Sequence, residues 1–116
     1  MKYLILAYGD EEAWNALSAA EQKSLLAQDD ILRARGSLVA AVTTDVTTVT
    51  SWTDLPKTAS EPFSPLRAPL AGFGIIEADD LAHAVQLVAN TPCARAKGAV
   101  EIRPIQALNQ GAAVVV

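Results

Sequence analysis

His83 and Cys93 are the only histidine and the only cysteine among the 116 residues. They carry the side chains best suited to acid–base and nucleophilic work. Histidine titrates near neutrality and so exchanges protons at physiological pH. His83 falls within Leu81, Ala84, Val85 and Val88, apolar at i, i+3, i+4 and i+7. At 100° per residue it lies roughly 150° from the centre of that stripe. The spacing therefore predicts a solvent-facing imidazole rather than a general base. Cys93 follows a helix end instead of opening a helix that would lower its pKa. With no histidine beside it to take its proton, it reads as an unactivated thiol.

The carboxylates fall in small groups. Asp79 and Asp80 precede a helical stripe, where acids ordinarily cap the first turn. Asp10, Glu11 and Glu12 read the same way, but Asp10 directly follows an apolar run and so could point into a cleft at a strand end. Ser60-Glu61-Pro62-Phe63 and Arg67 lie on a proline-rich stretch. Phe63 could plug a pocket there, and Arg67 could clamp an anion. Trp14 and Trp52 read as core or subunit contact. The chain has no G-x-G-x-x-G, no P-loop, no C-x-x-C, no H-E-x-x-H and no G-x-S-x-G. Those motifs would signal nucleotides, metals or a serine nucleophile, so no cofactor and no metal are expected.

The elements that must position these groups are legible in outline. Lys2 to Tyr8 is an apolar strand ended by Gly9-Asp10. Asp10 is placed to cap a short turn through Trp14 and Leu17. Ser18-Ala19-Ala20-Glu21 fits a capping box, which predicts a long helix from there. Leu25, Ile31 and Leu32 lie toward a common side. Arg33 and Arg35 suit its C-terminal dipole, and Gly36 offers a left-handed stop. Ser37 to Val42 and the β-branched Val46 to Trp52 read as two strands of one hairpin, turning at Thr43-Thr44-Asp45. Thr53 to Ala71, with Pro56, Pro62, Pro65 and Pro69, reads as irregular. Gly72 to Ala78 is a strand, and a helix follows, stopped by Asn90 and Pro92. Ala99 to Arg103 is the last strand, with Val100 and Ile102 on one face and Glu101 and Arg103 on the other.

This β-α-β-β-α-β order is the split βαβ pattern. It predicts an α+β ferredoxin-like domain, with residues 1–105 as one domain and 106–116 as an apolar C-terminal tail. The first strand is apolar on both faces. Helices cover one side of such a sheet, so a twin subunit is expected to shield the other, with a pocket nearby. The tail Gly111 to Val116 could instead pair with a sheet edge.

Composition narrows the class. Hydrophobic residues make up 51% and the net charge is −4. Nine basic residues are scattered singly, so no basic face is expected to neutralise phosphates and no nucleic acid partner is expected. Lys2 to Tyr8 is too short for a signal h-region, and no run approaches the ~18 apolar residues of a membrane span. One cysteine permits no internal disulfide, which fits a reducing cytosol. A cytoplasmic protein without a membrane partner is expected.

Several runs together resemble a known family. They are Met1 to Glu11 with Trp14, Glu61-Pro62-Phe63 followed ten residues later by Phe73, Ile75 to Leu81, and Val100 to Ile105. In this order they resemble the DGPF-type branch of the YCII-related proteins across nearly the whole chain to Ile105. The resemblance implies a dimeric ferredoxin-like α-β barrel. Some relatives in the wider group are similar to lyases that use a His–Asp pair. Branch members are often found beside extracytoplasmic-function sigma factors, which implies a regulatory role. The motif naming the branch is Asp-Gly-Pro-Phe, and here the matching residues are Ser60, Glu61, Pro62 and Phe63. Arg67 is similar to a basic residue, usually lysine, in the following loop. No histidine matches the lyase-like position.

The expected function is a homodimeric small-molecule-binding or regulatory domain. Its pocket is expected at Tyr8, Asp10, Ser60, Glu61, Phe63 and Arg67. The alternatives are a lyase- or isomerase-like enzyme acting on a small cyclic compound, and a protein-interaction module whose partner is a sigma factor. A buried Glu61 or Asp10 beside a cavity would favour the enzyme.

Overall fold

A computed structural model of the chain describes residues 1–65 and 67–107. Its elements are β1 (Lys2–Tyr8), α1 (Glu11–Asn15), α2 (Ala19–Arg35), β2 (Gly36–Ala41), β3 (Thr48–Thr50), β4 (Lys57–Ala59), β5 (Leu70–Glu77), α3 (Leu81–Val88), α4 (Pro92–Arg95) and β6 (Ala99–Pro104). Four strands form one sheet in the order β2-β5-β1-β6. Every neighbouring pair is antiparallel, as the ferredoxin-like arrangement requires. The apolar tail Gly111 to Val116 lies outside the described residues.

Alternation along β1 sets the two sides of the sheet. Tyr3 and Ile5 are buried, and their register partners on β5 are Ile76 and Gly74. Leu32 of α2, with Ala84 and Val88 of α3, closes over them as the core. Each large side chain buried here contributes roughly 1.5–3 kcal/mol. The opposite side carries Leu4 against Ile75 and Leu6 against Phe73, with Leu38 of β2 beyond Ile75. Among the described residues the core helices lie on the other face; on this side Leu4, Leu6, Phe73 and Ile75 are half-buried and Leu38 is exposed.

Local signals set the helix starts. Asp10 Oδ1 accepts from the Ala13 amide at 3.0 Å and Asp80 Oδ1 from the His83 amide at 2.8 Å. The Ser18–Glu21 box forms in both directions, at 3.1 and 3.3 Å. Arg33 bonds Asp29 and Asp30 at 3.0 and 2.9 Å. Gly36 does not end α2 in a separate turn: β2 begins at that residue.

Several expectations are corrected. The Val46 to Trp52 strand shortens to Thr48–Thr50 and does not pair with β2. It pairs with Lys57–Ala59, inside the stretch read as irregular, in a separate two-stranded sheet. The neighbour of β2 is β5. β-Branched residues favour an extended backbone but do not choose its partner.

On α3, Ala84 and Val88 are buried with Leu87 packed beside them, but Leu81 is 53% and Val85 49% exposed. The buried stripe is therefore rotated, and His83 is half-buried. Its Nδ1 accepts from the Asp79 amide at 3.0 Å. Eight residues span too few turns to centre a stripe from periodicity alone.

Trp52 is 86% exposed and takes no part in the core. On α2, Leu32 is buried and Ile31 is exposed.

Candidate functional site

Small residues open a hollow between the sheet and the helices. Ala7 on β1 pairs with Gly72 on β5, and Gly72 pairs with Ala41 on β2. A Cβ on Gly72 would approach the Ala40 carbonyl oxygen to 2.7 Å, so no larger residue fits there. Above this low floor lies a cavity of about 290 Å³. Ile5, Val39 and Val100 line it from the sheet, Leu26, Asp29, Leu32 and Arg33 from α2, and Trp14 from α1. Thr91, Pro92 and Cys93 close the α4 side. A second cavity of about 230 Å³ adjoins it and is lined by Asp10, Glu11, Val42, Thr44 and Pro69, again with Trp14 and Cys93.

The walls are mostly apolar, and their polar groups are largely engaged. Asp29 and Arg33 form an ion pair within one helix. Thr91 Oγ1 donates to the Val88 carbonyl at 2.6 Å. Gln22 Nε2 donates to the Trp14 carbonyl at 2.9 Å and so ties α1 to α2. The Gly9 amide donates to the Pro69 carbonyl at 2.9 Å and holds the end of β1 against the start of β5. Cys93, expected after a helix end, instead stands in the first turn of the four-residue α4; burial nevertheless pushes its thiol up from its ordinary pKa, and the Asp29 carboxylate adds to this. A thiol so placed resists forming the thiolate nucleophile.

The residues singled out in the sequence do not come together. Asp10 lines the second cavity. Tyr8 lies on the other side of the sheet, beside Glu101. Hydrogen bonding to that carboxylate raises the Tyr8 phenol, with partial desolvation adding and Arg103 opposing. The same bond holds the Glu101 carboxyl below its ordinary range. Ser60, Glu61, Phe63 and Arg67 are exposed and line neither cavity; Phe63 is 73% exposed. The Glu61 carbonyl accepts from Thr48 Oγ1 at 2.6 Å, which ties this stretch to β3. His83 also lines neither cavity.

Trp14, Cys93, Asp29 and Arg33 line the hollow without having been singled out for it. Their one sequence signal is indirect. Gly72 and Gly74 interrupt an otherwise bulky strand, and glycine there often marks missing side-chain volume. Among the described residues, no group of three or more His, Cys, Asp or Glu side chains is placed to hold a metal ion. No helix among them is long and apolar enough to cross a membrane.

An antiparallel sheet in this order, helices on one side and a small apolar hollow between the layers define an α+β ferredoxin-like protein with room for a ligand. The chain belongs to the YCII-related domain family, whose model matches residues 1–109. No curated protein matches it. Among solved structures it resembles 5-chloro-2-hydroxyhydroquinone dehydrochlorinase from Burkholderia phenoliruptrix in complex with 2,5-dihydroxybenzoquinone. The two share 18% identity and a TM-score of 0.52, over 91% of this chain and 94% of that one. At that identity the likeness is one of fold.

Proposed function

We propose that this chain is a small-molecule-binding domain that works as a homodimer and takes its ligand in the cavity between α2 and the sheet. The observation that carries this reading is the apolar hollow over Gly72, walled by Trp14 and Cys93. Ligand sites are mostly apolar concavities with a few placed polar groups, and here Asp29 and Arg33 supply them. The dimer reading rests on the side of the sheet away from the core helices, where Leu38 is exposed and Leu4, Leu6, Phe73 and Ile75 are half-buried.

A second reading is a lyase- or isomerase-like enzyme acting on a small cyclic compound. It is favoured by Asp10, half-buried at the second cavity, and by the ring-shaped ligand of the similarly folded dehydrochlorinase. The DGPF branch and a sigma-factor partner rest on sequence resemblance alone.

Thermal unfolding in the presence of hydroxylated benzoquinones and catechols tests the binding reading. A ligand at 100 times its Kd stabilises the folded state by about 2.7 kcal/mol. The wild type is expected to gain several degrees with at least one compound, and Trp14→Ala to lose that gain. No shift across the panel overturns the reading. Conversion of a bound compound, detected by its absorbance, would select the enzyme.

A further inference from the structure

We infer that the two cavities are the lobes of one site, and that its ligand is an elongated aromatic molecule about two rings long with a hydrogen-bond donor at the α1 end. This rests on the small-molecule reading above and names the ligand class for it.

Three observations carry it. The cavities share Trp14, Ala71, Pro92 and Cys93 as common wall, so they adjoin along these four residues. Small-molecule sites occupy ~300–1,000 Å³. At about 290 and 230 Å³, each cavity falls below that range, and joined they fall within it. Lastly, the lobes differ in charge. In the larger, Asp29 and Arg33 neutralise each other. In the smaller, Asp10 and Glu11 have no cationic residue among the lining side chains. Asp10 uses Oδ1 for the Ala13 amide, and Oδ2 accepts no hydrogen bond among the described residues. A hydroxyl or amine is therefore matched to that end, and a carboxylate is repelled. The flat indole of Trp14 at the junction suits stacking against an aromatic ring.

Trp14 and Trp52 are the only tryptophans, and Trp52 lines neither cavity. Trp52→Phe therefore leaves one reporter at the junction. That variant is titrated with phenol, 4-hydroxybiphenyl and biphenyl-4-carboxylate, following Trp14 fluorescence. The expected result is 4-hydroxybiphenyl binding at least about tenfold tighter than phenol, from burial of the added ring, and at least about tenfold tighter than the carboxylate. Val42→Phe, which narrows only the smaller lobe, is expected to abolish the advantage of 4-hydroxybiphenyl over phenol. Thr44→Phe serves the same purpose should Val42→Phe fail to fold. Equal affinity for phenol and 4-hydroxybiphenyl overturns the two-lobe inference and leaves the small-molecule reading standing. Equal affinity for the hydroxyl and carboxylate compounds overturns the donor assignment. Binding by none of the three overturns the inference, while the quinone and catechol panel independently decides the underlying reading.

Discussion

Trp14 and Cys93 belong to two different short helices, yet both line both cavities. One stands on the five-residue α1 and the other on the four-residue α4. Helices this short gain little from their own hydrogen bonds, so the junction depends on tertiary ties. The Trp14 carbonyl is held by Gln22, and α4 follows the buried Thr91.

The Cys93 thiol is expected to titrate above its ordinary 9.0, because burial and then Asp29 disfavour the thiolate. Its rate of reaction with an aromatic disulfide should rise through a midpoint above that value. Asp29→Asn removes the nearby negative charge and should lower the midpoint. A wild-type midpoint at or below the ordinary value would show that the thiol is not shielded.

Tyr8 is expected to ionise above its ordinary 10.0, chiefly through its bond to Glu101. Phenolate absorbance near 295 nm in wild type minus Tyr8→Phe isolates its titration, and Glu101→Gln should bring the midpoint down. A raised folded pKa means that the bond's contribution to stability is fully present below the unfolded value. It is lost as pH rises through the folded one. An unchanged midpoint in Glu101→Gln contradicts the pairing.

Gly98→Ala is expected to destabilise the fold by about 1–3 kcal/mol, as overpacking does. An added Cβ would overlap the Tyr8 carbonyl oxygen and reach the Cys93 carbonyl oxygen at 2.7 Å. Gly9→Ala meets only the side-chain Cβ of Ala71 at 3.3 Å and the Cys93 sulfur at 3.7 Å, and should cost less. Urea denaturation midpoints of the two variants decide it. Equal midpoints would mean that the backbone around Gly98 yields freely.

Light scattering in solution is expected to report twice the 12.2 kDa chain mass at micromolar concentration. Leu6→Glu places a charge on the side of the sheet away from the core helices, where an unpaired buried carboxylate is strongly disfavoured, and should give the monomer. A wild-type monomer removes the dimer from the proposal.

Residues close together in the chain set the local grammar of this protein. Asp10, Ser18 with Glu21, and Asp80 mark helix starts because a cap needs only residues three apart. The apolar Lys2 to Tyr8, Gly72 to Ala78 and Ala99 to Arg103 mark the strands now seen as β1, β5 and β6. The runs resembling the YCII-related family sit within the residues its model matches. Packing set what depends on residues far apart in the chain. It paired β3 with β4 instead of β2, because propensity sets an extended backbone and not its neighbour. It turned α3 so that Ala84 and Val88 face the core, leaving Val85 outward. It also made the hollow, whose floor joins Ala7 to Gly72 and whose walls join Trp14 to Cys93. No pattern of period two or 3.6 records space left empty between such distant residues, so the cavity became visible only once the sheet and helices were packed together.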